Sequence, residues 1–111
     1  MDDLDGPIAA PDNHKVIFEN ELVRVLDILI PVGTTAPLHT HWTPTLLYHV
    51  SGDHSIRRDA QGGILRDTRA DPDFKNDRVT FQPPTQAHTL ENTGSEDIRV
   101  IGVELKDRAP G

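Results

Sequence analysis

Gly33-Thr34-Thr35-Ala36-Pro37-Leu38-His39-Thr40-His41 is the stretch on which the reading of this chain turns. In an extended strand, side chains two residues apart point to one face, so His39 and His41 can reach a common point. A second stretch, Pro83-Pro84-Thr85-Gln86-Ala87-His88, is followed by Asn92 and offers a third imidazole from a neighbouring strand. Three neutral imidazoles converging inside a β-structure suit a divalent transition metal. Taken alone, an H-x-H pair is better read as two strand histidines facing solvent or hydrogen-bonded within a core. The second stretch is what tilts the reading toward ligands.

Around these stretches the chain punctuates itself into short strands. Lys15 to Glu19 and Leu22 to Pro31 are apolar runs split by the Asn20-Glu21 turn. Leu22 to Pro31 is apolar on both alternating faces, which suits a strand covered on both sides. Leu38 to Val50 reads as a strand interrupted near Pro44, and Ser51-Gly52-Asp53 is a hairpin turn signal. His54 to Arg58, Ile64 to Thr68, Arg78 to Gln82, His88 to Asn92 and Ile98 to Leu105 follow as further strands. Arg69 to Asp77 forms the longest loop. No segment holds a helical period for more than a turn or two. Such a run of short strands with Gly/Pro turns predicts an all-β sandwich or barrel. The acidic residues 1–14 are expected to be a flexible arm, 15–105 the barrel and 106–111 a tail.

Composition narrows the functions. The 111-residue chain fits one domain with a modest core, since 35% hydrophobic content is lean. A formal net charge of −7, with no basic block longer than Arg57-Arg58, argues against nucleic acid as a partner. There is no cysteine, hence no disulfide framework and no thiolate metal site. The N-terminus lacks the basic and apolar regions of a secretory signal. Apolar runs such as Ile28-Leu29-Ile30 are too short to span a bilayer. The expectation is a cytoplasmic protein with no membrane partner.

The spacing of both stretches resembles that of the small cupins, whose motifs read G-x5-H-x-H-x3-E-x6-G and G-x5-P-x-G-x2-H-x3-N. Here the first falls on Gly33, His39, His41, Thr45 in place of Glu, and Gly52. The second falls on Asp77 in place of Gly, Pro83, Thr85 in place of Gly, His88 and Asn92. Seven of ten positions match in register, and the resemblance runs from Val16 to Val103. It implies a double-stranded β-helix, the jelly-roll-like cupin barrel, and a homodimer built through N-terminal strands. It implies one Fe, Mn, Ni or Zn ion on His39, His41 and His88. Thr45 departs from the pattern where a carboxylate usually supplies a fourth ligand, and a threonine hydroxyl is a poor substitute.

Other residues are open to two readings. His49 shares parity with Thr45 and Leu47; on a regular strand it faces the interior as a further ligand or a general acid/base. A bulge near Pro44 would turn it outward. His54 could line the barrel, although core packing or surface exposure is expected for it, and His14 is expected in solvent on the arm. Trp42 either covers the pocket mouth or sits at a subunit interface. Arg57 and Arg58 point to opposite faces; surface pairing with Asp53 or Asp59 is expected for both, although one could meet an anionic substrate. No G-x-S-x-G elbow or phosphate-binding loop is present. The sequence thus predicts a metal-dependent small-molecule enzyme, dioxygenase-like or isomerase-like, with His49 as its catalytic residue. A non-catalytic binding or sensor protein with a degraded metal site is the alternative, and a purely structural barrel the third.

Overall fold

The computed structural model describes residues 2–106, so the expected tail from residue 107 onward lies outside the described residues. Nine strands form two antiparallel sheets. One is ordered β1-β2-β9-β4-β7 and the other β3-β8-β5-β6. The strands are β1 His14–Glu19, β2 Val23–Ile30, β3 Thr35–His39, β4 Thr45–Ser51, β5 Ser55–Asp59, β6 Ile64–Asp67, β7 Val79–Gln82, β8 His88–Asn92 and β9 Ile98–Leu105. The expected strand from Leu38 to Val50 is two strands in different sheets. The chain crosses between them through Thr40–Pro44, where Pro44 lacks the N–H a continuous ladder needs.

Turn chemistry explains which motif glycines persist. Gly33 and Gly52 adopt φ of 76° and 118°, a region costly for any residue with a Cβ. A Cβ on Gly52 would also lie 2.9 Å from the Ile98 side chain. Among the described residues no non-glycine residue has positive φ. Asp77 and Thr85, which replace two motif glycines, therefore occupy backbone that tolerates a side chain.

Alternation sets the two faces of the larger sheet. Leu26, Ile28 and Ile30 of β2 turn inward and are buried, and Leu26, Ile28 and Val100 form the core with Leu47 and Ile98 against it. The opposite face of β2 carries half-buried Val23 and Val25 and exposed Leu29, so it is not covered within the chain as its apolarity suggests. The smaller sheet closes over the inward face. More polar than apolar side chains are buried among the described residues, including His14, His39, His41, His88, Thr45, Asn92 and Glu104. Buried polar groups persist only where they are partnered or functional. The barrel interior is therefore a polar site resting on a small apolar floor.

The stretch read as an arm packs against the barrel. A short 3-10 turn, Asp2–Leu4, leads into helix α1, Gly6–Ala9. The Thr40 N–H donates to the Leu4 carbonyl at 2.6 Å, and Asp5 forms a bidentate ion pair with Arg24 at 2.7 and 2.8 Å. Among the described residues no helix is long and apolar enough to cross a membrane.

Candidate metal centre

Four imidazoles meet at one end of the barrel interior. β3 and β8 pair so that His39 and His88 are direct register partners, with ring centroids 4.6 Å apart. His41 lies just beyond β3, its ring 5.0 Å from that of His39 and 5.8 Å from that of His88. The fourth ring is His14, expected in solvent but only 3% exposed. β1 begins one residue earlier than anticipated and pairs His14 with Ile28, which points inward. The His14 ring sits 4.5 Å from that of His39 and 5.4 Å from that of His41. Ligand nitrogens of His14, His39 and His41 all lie within 4.8 Å of one another.

Hydrogen bonds fix which nitrogen each ring presents. Nδ1 of His14, His39 and His88 lies 3.0, 2.6 and 2.8 Å from the carbonyls of Ala10, Pro37 and Gln86. A carbonyl only accepts, so each Nδ1 carries the proton and donates, and each Nε2 keeps its lone pair. Burial pushes the His39 pKa down to about 3 and those of His14 and His88 to about 4. The rings are therefore neutral near pH 7. Neutral imidazole nitrogens converging on one point are what a divalent transition metal takes; His14, His39 and His41 supply that group, while the expected ligand His88 lies beside His39 but outside it.

The carboxylate missing at Thr45 reappears one strand away. Thr45 is 1% exposed, and its hydroxyl donates to the Thr43 carbonyl at 3.1 Å. Its register partner on β9 is Glu104, only 4% exposed. Glu104 Oε2 lies 3.6 Å from His41 Nδ1, a buried nitrogen with no hydrogen-bond partner. Burial alone would raise the Glu104 carboxyl, but His41 and Arg24 outweigh it and hold the pKa below its ordinary value. A carboxylate behind an imidazole orients the ring and increases its basicity. Arg24 continues the chain to Asp5, so His41, Glu104, Arg24 and Asp5 form one polar line. Glu104 was legible as an inward residue from its parity with Val100 and Gly102; His14 left no such signal, because a bulge between Val16 and Phe18 breaks the parity of β1.

The cluster opens into a cavity of about 400 Å³. β4 is regular from Thr45 to His49, so His49 lines this cavity. Its Nε2 lies 2.8 Å from Thr80 Oγ1, and burial lowers its pKa against the opposing charge of Asp77. His54 also lines the cavity, with Nδ1 2.9 Å from Thr68 Oγ1, rather than packing in the core or at the surface. Arg57 and Arg58 depart from the expected pairing with Asp53 or Asp59. Arg57 faces the cavity and donates to Gln82 Oε1 at 3.0 Å, while Arg58 pairs with Glu91 at 2.7 Å. The two are opposed because adjacent strand residues point to opposite faces. Trp42 is exposed and borders a smaller cleft with Asp5, Arg24 and Glu104.

No family model matches the chain. It is 24% identical over 97 residues to the uncharacterized protein MJ1618 of Methanocaldococcus jannaschii, covering 87% of this chain and 71% of that protein. Among solved structures it is similar to a cupin domain from Bordetella pertussis, with a TM-score of 0.66 at 16% identity over 85% of this chain and 92% of the other. It is also similar to an RmlC-like cupin family protein with a double-stranded β-helix fold from Methanocaldococcus jannaschii, with a TM-score of 0.59 at 15% identity over 83% and 77%. A cupin superfamily protein from Desulfitobacterium hafniense gives 0.55 at 12% identity over 85% and 76%. With its two antiparallel sheets closed around a histidine cluster that could hold a metal ion, the chain is a small cupin-fold protein.

Proposed function

We propose that the chain is a metal-dependent enzyme acting on a small molecule, with Fe, Mn, Ni or Zn on His39, His41 and His88 and with His14 as a fourth ligand. The observation that supports this reading is the fixed tautomer of three of these rings, which line the cavity and keep Nε2 lone pairs with no protein donor bonded to them. When bound, such an ion supplies Lewis-acid polarisation of a substrate oxygen or, if redox-active, dioxygen chemistry on a chelating substrate. Ala10, Pro37 and Gln86 orient three of the rings, and Glu104 stands 3.6 Å behind Nδ1 of His41. His49 is the proton-transfer group. Thr80 engages its Nε2, its lowered pKa keeps it basic near neutrality, and Nδ1 is left for substrate. Thr45 supports a second reading, a binding or sensor protein without turnover.

Elemental analysis after reconstitution separates these readings from a purely structural barrel. About one equivalent of ion per chain is expected, lost in His39→Ala. Screening the loaded protein against chelating acids, sugars and thiols then separates enzyme from binder. His49→Gln should keep its metal and lose turnover; a variant that turns over normally removes His49 from the mechanism.

We also propose a homodimer through the outer face of the larger sheet. Register places Phe18, Val25, Val103, Leu46 and Phe81 in one row across all five strands. Phe18, Leu46 and Phe81 are 54%, 43% and 59% exposed, an apolar band that a lone chain leaves in water. Light scattering should give twice the chain mass for the parent and a single chain for Phe81→Asp. A monomeric parent at micromolar concentration refutes the assignment.

A further inference from the structure

We infer that Arg57, steadied by Gln82, is the recognition site for a carboxylate of the substrate, which makes the substrate class a small organic acid rather than a neutral sugar or alcohol. This deepens the enzymatic reading above and rests on it only for the second contact, that of the substrate with the histidine-held ion. Arg57 is carried on β5 opposite Leu90, which also lines the cavity, one inward step along β8 from His88. Gln82 stands on β7 in the facing sheet, opposite Thr45. The 3.0 Å bond from Arg57 to Gln82 Oε1 therefore spans the cavity and holds the guanidinium within it.

The missing partner is the informative part. Arg24, Arg58, Arg66 and Arg99 each hold a carboxylate at 3.2 Å or less, and Arg69 and Arg78 donate instead to the Thr93 and His49 backbone carbonyls. Among the described residues no carboxylate lies within ion-pair distance of Arg57, whose side-chain bond is to a neutral amide. Burial disfavours its charged form, and Arg66 adds like charge. Arg57 is half-buried, and a cation drawn partly out of water gains from a paired anion, for which the cavity is the open side. Guanidinium presents parallel N–H donors that match the two oxygens of a carboxylate. Arg57 faces Leu90, two residues along β8 from His88, and all three line the cavity, so an acid bound to Arg57 lies beside the imidazole cluster. A cavity of about 400 Å³ suits a compact acid whose second oxygen donor reaches toward the histidines.

The test is calorimetric titration of the full chain, Ni²⁺-loaded and metal-stripped, with two pairs of probes that differ in charge: oxalate against oxamide, and salicylate against salicylamide. The parent should bind each acid more tightly than its amide. Arg57→Gln should lose about tenfold or more in acid affinity with amide affinity unchanged, and Arg57→Lys should fall between, keeping charge without the fork. Gln82→Leu should show a smaller loss of the same sign. Nickel content and circular dichroism of each variant should match the parent. Equal acid affinity in Arg57→Gln and parent, or no acid binding by the parent at up to about 10 mM, overturns the inference. If the parent holds no nickel but the stripped protein binds acids in an Arg57-dependent way, the metal reading falls and the inference stands. Should Arg57→Gln fail to fold, Arg57→Lys and Gln82→Leu carry the same comparison.

Discussion

Acidification should unfold the metal-free protein between pH 6.5 and 4, and the histidine cluster sets how steeply. His39 has its pKa pushed to about 3, and His14 and His88 to about 4, against about 6.5 in an unfolded chain. Their folded pKa values are depressed, so between 6.5 and 4 the unfolded state takes up protons that the folded state refuses. Their contribution is fully present above pH 6.5 and is lost as pH falls toward 4. At pH 5 each ring costs about 2 kcal/mol, so three cost about 6 kcal/mol, with a slope approaching 4 kcal/mol per pH unit. A small domain has roughly 5–15 kcal/mol in total. Urea unfolding of EDTA-treated protein, followed by circular dichroism at pH 8, 7, 6 and 5, measures this. The midpoint should fall by several molar, given a slope of about 1–3 kcal/mol per molar urea. A fall of less than about 1 M between pH 8 and 5 is no more than one ring would give, and it would refute the claim that three buried rings stay neutral. Zinc-loaded protein should hold its midpoint to lower pH, because the ion binds only the neutral rings.

Three further outcomes follow from the site. Glu104→Gln should lower metal affinity by about 10–100-fold while leaving the ligand count intact, measured by competition with a chromogenic chelator. Gly6→Ala should weaken metal binding in the same direction as His14→Gln, because the new Cβ would lie 2.9 Å from His14 Cδ2 and push the ring aside; unchanged affinity in both would remove His14 from the ligand set. Asn92→Ala should cost about 2–4 kcal/mol of stability by thermal or urea unfolding, since it strips buried bonds to the Ile30 and Glu96 carbonyls and the Gly94 N–H.

The fold was legible because turn residues and alternation carry it locally. Gly33 and Gly52 mark turns only glycine makes cheaply, and β8 and β9 fall on the residues their patterns bound. His39 and His88 could be placed together from spacing because they lie on directly paired strands. His14 could not, since its inward direction depends on a bulge and on the partner strand β2 rather than on its own neighbours. Arg57 read as a surface residue because nothing local distinguishes an arginine that pairs with Asp59 from one that turns into a cavity. The cross-barrel partner that distinguishes them is 25 positions away. Sequence parity found which strands face inward; the contents of that interior were set by contacts between strands remote in the chain.

The polar line from His41 through Glu104 and Arg24 to Asp5 joins residues 80 positions apart at its longest step. During synthesis, β1, β2 and the first two histidines leave the ribosome long before β9 exists. A nascent chain therefore offers imidazoles without the carboxylate that stands behind one of them, and contacts of such long span carry a high loop-closure cost. The imidazoles gain their neighbouring carboxylate only once β9 has slotted between β2 and β4. On the metal reading proposed above, tight capture of an ion would report that β9 is in place beside β2 and β4.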